Sequence, residues 1–154
     1  MHRKTIVALF VTVIACVTFA QTTKPNLTGT WERVALEGSG NPGTESMLIV
    51  HNEPYFYLLY RIKDEAGART LDLKGMTDGK MHPQEVDGQP AMLMLWWEGQ
   101  HLMLDIKRQA SYGYTHNRRK LTFSPDGKTF TVERSQHLQD GTLRGSGTEK
   151  WEKK

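Results

Sequence analysis

Residues 91–107 read Ala91-Met-Leu-Met-Leu-Trp-Trp-Glu-Gly-Gln-His-Leu-Met-Leu-Asp-Ile-Lys107, and the way this stretch folds back on itself decides the architecture. Two runs of β-favouring residues flank Glu98-Gly99, and a glycine behind a carboxylate supplies the backbone freedom that a tight hairpin connection needs. With Glu98-Gly99 as a two-residue loop, Trp97 pairs with Gln100, Leu95 with Leu102, Leu93 with Leu104 and Ala91 with Ile106. Side chains alternate across a strand, so these positions share one face, and it is apolar except at the turn. The reverse face pairs Trp96 with His101, Met94 with Met103 and Met92 with Asp105.

Two further hairpins sort themselves in the same way. A four-residue loop Asp64–Gly67 sets Tyr60 against Leu71 and Leu58 against Leu73, with Arg61 against Thr70 and Leu59 against Asp72 behind them. A loop Pro125–Lys128 sets Phe123 against Phe130 and Leu121 against Val132, while Lys120 meets Glu133 on the other side. Opposite charges at such positions are mildly favourable. Further turn signals stand at Ala66-Gly67, Asp78-Gly79, Asp87-Gly88, Asp126-Gly127 and Asp140-Gly141.

The spacing predicts strands over Gly29–Leu36, Ser46–His51, Tyr55–Ile62, Arg69–Lys74, Lys80–Val86, Ala91–Trp97, His101–Lys107, Arg118–Ser124, Thr129–Ser135 and Gly147–Glu152. Glu37–Glu45 and Ala110–Asn117 read as loops, and no window after Gln21 holds the apolar spacing of a helix. The expected fold is all-β: an antiparallel up-and-down barrel or strongly curved meander of about eight to ten strands, with an open sandwich as the alternative. Sequential neighbours are expected to pair throughout.

The first residues follow another logic. Met1-His-Arg-Lys4 is basic, Thr5–Ala20 is an apolar run interrupted only by threonine, and Gln21 begins a polar stretch. A membrane span needs about 20 apolar residues; this run is shorter and ends on a small residue, the pattern of a signal peptide cleaved after Ala20. Residues 1–20 are thus expected to be removed, leaving 21–154 as a single all-β domain. Cys16, the only cysteine, leaves with the segment, so the mature chain has neither disulfide nor thiolate nucleophile. The alternative is a lipoprotein anchor, since Val13-Ile-Ala-Cys16 is similar to a lipobox; only then does the protein attach to a membrane.

Arg3 and Lys4 also belong to this segment. Without them the 20 basic and 17 acidic residues of the whole chain come close to balance, which removes the electrostatic case for a nucleic-acid partner. A hydrophobic share of 38% with 24% charged residues places the remainder among folded rather than disordered chains.

Gly29-Thr-Trp31 at the mature start resembles the first strand of lipocalin-like proteins, in which Gly-x-Trp sets a tryptophan at the closed end of the barrel. With the Gly/Pro loop, the regular hairpins, Phe123-Ser-Pro-Asp-Gly-Lys-Thr-Phe-Thr-Val-Glu-Arg134 and Glu149-Lys-Trp-Glu-Lys153, the chain resembles the small exported lipocalin-like proteins of bacteria over most of its mature length. The resemblance implies a barrel and a packing role for Trp31. It also implies a cation over that ring, for which Arg144 and Lys150 are the candidates, whereas the helix that follows the barrel in lipocalins proper has no counterpart.

No catalytic pattern emerges. His51, His82, His101, His116 and His137 show no metal-ligand spacing, although His82 with Glu85 and Asp87 could meet across strands. Ser39 and Ser146 lie in Gly-Ser-Gly without a visible base. Asp64-Glu65 reads as turn surface, and His116–Lys120 is a basic cluster that could touch anions but reads first as a solvated loop running into an edge strand. Asn26-Leu-Thr28 is a sequon that matters only in a eukaryote.

The remaining candidate is the second face of the 91–107 hairpin. Met92, Met94, Trp96, His101 and Met103 form an apolar stripe opposite the core, and Tyr57, with Tyr55 and Leu59, extends it. Methionine is adaptable at binding surfaces, and exposed apolar patches mark interaction sites; alternatively the loop Glu37–Glu45 covers the stripe. The expected function is a non-catalytic binding module of the cell envelope, without cofactor or metal, for a small apolar ligand or a protein partner. The alternative is a structural, self-associating envelope protein with the stripe as a homodimer interface.

Overall fold

The computed structural model describes residues 24–39 and 43–154; the expected signal peptide and Cys16 lie outside them. Ten antiparallel strands follow one another: β1 (Gly29–Gly38), β2 (Thr44–Asn52), β3 (Tyr55–Asp64), β4 (Gly67–Met76), β5 (Met81–Val86), β6 (Gln89–Glu98), β7 (His101–Ala110), β8 (Gly113–Phe123), β9 (Thr129–Leu138) and β10 (Leu143–Lys153). Among the described residues there is no helix. Each expected strand is present. Ala110–Asn117, expected to be a loop, instead lies almost wholly in β7 and β8, because Gly113 at φ 115° lets the chain reverse around Ser111 and Tyr112.

β1 pairs with both β2 and β10, which curls the meander into a nearly closed barrel with the order β4-β3-β2-β1-β10-β9-β8-β7-β6-β5. Sequential pairing fails at one place. β4 and β5 carry no ladder between them and leave a seam in the wall. β5 is short, and Pro83 at its middle withholds an N–H from a second ladder, as proline does in edge strands. Gly75 of β4 lies close against Leu93 and Leu95 of β6, so that a Cβ there would stand 2.9 Å from Leu95 Cδ1.

The Asp64 and Pro125 hairpins have the expected registers, including Tyr60 opposite Leu71 and Phe123 opposite Phe130. The 91–107 hairpin is shifted. Trp97 faces Leu102, Leu95 faces Leu104, Leu93 faces Ile106 and Ala91 faces Arg108, and Trp96 faces Met103 rather than His101. The loop is Gly99-Gln100, with Gly99 at φ 59° in the first loop position, where one of the favoured two-residue turns places its glycine. A shift of two residues preserves the faces, so the sorting into core and surface stands.

The inward face is graded along the barrel. At one end Trp31, Phe123, Phe130 and Trp151 cluster, with Trp31 and Phe130 edge-to-face at 4.7 Å and Phe130 and Trp151 stacked at 5.9 Å. Leu27, fully buried, closes this end, and its carbonyl accepts a 3.1 Å hydrogen bond from Trp31 Nε1. The cation over Trp31 is Lys153, with Nζ 5.4 Å from the ring centroid. It is neither Arg144, whose guanidinium stacks on Tyr112, nor the exposed Lys150. Met47, Ile49, Leu58, Leu73, Leu93, Leu95, Leu102, Leu104, Ile106, Leu121 and Val132 continue the core. At roughly 1.5–3 kcal/mol per large apolar side chain, they supply the driving force for folding.

Candidate functional site

The opposite end of the interior is polar. β1 carries a bulge between Arg33 and Ala35; the extra residue swings Val34 out, where it is 47% exposed, and leaves both Arg33 and Leu36 on the inner side. Arg33 Nη1 meets Glu45 Oε2 at 2.8 Å, and both side chains are buried. Tyr60 Oη donates to the same carboxylate. On the adjoining strands β9 and β10, Arg134 Nε lies 3.1 Å from Glu149 Oε1, and Trp151 Nε1 donates to Glu149 Oε2 at 3.1 Å. Arg119 stands directly opposite Arg134 on the neighbouring strand, with its guanidinium 5.5 Å from the Tyr60 ring centroid.

These three guanidinium groups and two carboxylates share this end with a further inward arginine, Arg108, which pairs with Asp87, and among the described residues Arg119 makes no ion pair. Burial pushes the Glu45 carboxyl up, against the hydrogen bond from Tyr60 and the charge of Arg33. Burial likewise pushes the Tyr60 phenol well above its usual range, so it stays a neutral donor. Arg119 and Arg134, with Asn117, Gln136, Gly145 and Ser39, line a recess of about 280 Å³ at the rim. A second recess, of about 490 Å³, is lined by Arg33, Glu45 and Ile62 together with outward residues of β2, β3 and β4. An anionic group entering here meets the Arg119 guanidinium, which has no ion-pair partner among the described residues, in partly dehydrated surroundings, where such contacts are strongest.

The sequence pointed to this site only through the basic cluster His116–Lys120, which contains Arg119; its strand, β8, is no edge but lies between β7 and β9. The Pro125 hairpin puts Leu121 and Val132 on the core face, and the period of two then places Arg119 and Arg134 on that face, opposite one another. Arg33–Glu45 and Arg134–Glu149 each join neighbouring strands, β1 to β2 and β9 to β10; closure through β1 and β10 adds what no local pattern announces, bringing the two pairs to one end and Arg119 to the Tyr60 ring.

The stripe residues are found on the outer face of β6 and β7, all partly buried: Met92, Met94, Trp96, His101 and Met103. Trp96 Nε1 donates to Glu98 Oε1 at 3.0 Å, and His101 Nδ1 shares a 3.0 Å hydrogen bond with Thr122 Oγ1. Tyr57 is elsewhere. With Val50, Tyr55, Met76 and Pro83 it lines a separate outer groove of about 630 Å³ beside the seam. Nor does the loop Glu37–Glu45 cover the stripe through its described flanks: Ser39 hydrogen-bonds the Ser146 carbonyl, and Gly43 packs on Lys63. His82 hydrogen-bonds Asp78, while Asp87 pairs with Arg108 rather than with His82.

No family model matches the sequence, and no curated protein matches it. Solved structures do match its fold. Lipid binding protein 8 of Caenorhabditis elegans is 7% identical, with 84% of this chain and 96% of that chain covered at a TM-score of 0.62. Secretory abundant heat soluble protein 4 from Ramazzottius varieornatus is 13% identical, with 88% and 99% covered at 0.60. A zebrafish ileal bile acid-binding protein, solved with cholic acid, is 15% identical, with 82% and 98% covered at 0.56. By fold the chain is a ten-stranded, nearly closed antiparallel barrel of the lipocalin and fatty-acid-binding-protein type.

Proposed function

We propose that this barrel is a non-catalytic binding protein for a small amphipathic molecule with an apolar body and an anionic head. The observation that carries the reading is the Arg119 guanidinium beside Arg134, without an ion-pair partner among the described residues and held on the inner face of a barrel whose other inward residues are largely apolar. The head sits against Arg119 and Arg134. The body lies against Leu36, Ile62 and Leu71, inward residues near the same end that remain only partly buried. The fold supports this reading, since similar barrels include proteins named for binding lipids and bile acids. The basic and apolar segment at residues 1–20 supports a place of action outside the cytoplasm, in the cell envelope or beyond it.

The test is a pair of fluorescence titrations. An anilinonaphthalene sulfonate carries an anionic head on an aromatic body, and N-phenylnaphthylamine offers a similar body without the charge. Arg119→Gln should weaken the sulfonate about tenfold or more and leave the neutral probe unchanged, because a hydrogen bond to a charged group contributes about 1.5–3 kcal/mol. Equal effects on both probes, or no binding of either, would overturn the assignment.

A further inference from the structure

Outside the barrel, on the far side of β8 and β9 from the cationic mouth, two histidines separated by 21 positions in sequence face each other. His116 and His137 are directly opposed in the register, and both lie on the outer face, since Asn117, Arg119, Gln136 and Arg134 take the inner one. Directly opposed Cβ atoms lie about 4.5–5.5 Å apart, within reach of one shared ion.

Each ring has its Nδ1 taken by an acceptor. His116 Nδ1 lies 3.1 Å from Asp105 Oδ2, and Asp105 is 2% exposed although it belongs to the outer face. His137 Nδ1 lies 3.3 Å from the Gly141 carbonyl oxygen. A carboxylate and a carbonyl only accept, so in the neutral ring Nδ1 carries the hydrogen and Nε2 keeps the lone pair. His137 shows the consequence, with its Nε2 3.0 Å from the Ser135 hydroxyl. An ion held between the two rings would take the place of that Ser135 hydroxyl on His137 Nε2.

We propose that His116 and His137 form a two-histidine site for a divalent transition ion of the zinc and copper class, with both Nε2 atoms as ligands. A histidine that donates its second nitrogen to a carboxylate or a main-chain carbonyl is the arrangement that orients imidazole toward a metal, and imidazole suits zinc, copper and nickel. Asp105 is a positioning residue, held by Arg118 Nε at 3.4 Å as well. Lys107, opposite His116, turns its ammonium over Tyr114, 4.3 Å from the ring centroid. Among the described residues no group of three or more His, Cys, Asp or Glu side chains is placed to hold a metal, so water completes the coordination.

The experiment uses purified protein without a histidine tag. Cu(II) is titrated with electron paramagnetic resonance as the readout, and Zn(II) by calorimetry. The expected result is one saturable equivalent with superhyperfine coupling to two nitrogens. His116→Ala and His137→Ala should each weaken binding about tenfold or more, and His82→Ala should leave it unchanged. Asp105→Asn should weaken it on the order of 10–100-fold, with circular dichroism reporting whether that variant folds; if it does not, the two histidine variants decide alone. Absence of saturable binding, or affinity that survives both single histidine changes, overturns the site.

Discussion

The side-chain amide of Gln84 takes the place of a strand: its Nε2 donates to the Lys74 carbonyl oxygen at 2.6 Å and its Oε1 accepts from the Lys74 N–H at 3.2 Å. Both bonds cross the seam between β4 and β5, where the barrel has no ladder. Gln84→Ala removes both and should cost about 1–2 kcal/mol in a urea melt, from the net worth of two such bonds. The Lys74 amide should lose its protection against hydrogen exchange, while the β8 and β9 amides keep theirs. Unchanged exchange at Lys74 would mean that the seam is held by packing of Gly75 on Leu93 and Leu95 alone.

Glu53 clamps the closed end. Its carboxylate accepts from Thr77 Oγ1 at 2.6 Å and Trp97 Nε1 at 2.6 Å, meets His51 Nε2 at 3.1 Å and pairs with Lys24 at 3.3 Å. Burial alone would raise its pKa, but these partners outweigh it and hold the group at about 2, against an ordinary 4.5. A depressed folded-state pKa means that the stabilisation is fully present above about 4.5 and is lost as pH falls toward 2. The difference in thermal midpoint between the wild type and Glu53→Gln should therefore be constant near neutrality and shrink between those two pH values. A difference that stays constant down to pH 2 would show that the charge of Glu53 plays no part.

The buried pair Arg33–Glu45 should be far more sensitive to loss of one partner than to loss of both. Glu45→Ala removes the carboxylate that meets the buried Arg33 guanidinium, and breaking a buried ion pair from one side costs about 3–5 kcal/mol. Replacing both with apolar residues of similar volume, Arg33→Met with Glu45→Leu, should recover most of that loss in a denaturant melt. A double variant as weak as the single one would contradict the reading.

Adjacent residues on β6 should separate core from surface. Leu95 is fully buried and faces inward, so Leu95→Ala should cost about 2–5 kcal/mol. Trp96 faces outward beside Met103, and Trp96→Ser should stay within about 1 kcal/mol. Were the order of the two reversed in a urea melt, the face assignment of the hairpin would be inverted.

Much of this barrel was local information. The alternation in 58–73 and 121–132 and the carboxylate-glycine turns determined the strands and two full registers, because a one-residue slip would have thrown every leucine into water. Where two registers preserve the same faces, alternation cannot choose between them, and the 91–107 hairpin was settled by the backbone of Gly99. Trp31 was legible as the tryptophan of the closed end, but the cation above it was not; which lysine arrives depends on how β10 returns to β1. Closure decided the rest. It set the Arg33–Glu45 pair of β1 and β2 beside the Arg134–Glu149 pair of β9 and β10 and carried Arg119 of β8 to the Tyr60 ring of β3, and it split the outer apolar residues into a β6–β7 stripe and a separate groove containing Tyr57. Pairings within a hairpin are written in alternation along the chain, whereas contacts between strands far apart in sequence depend on curvature and on where the sheet joins itself, which tertiary packing alone determines.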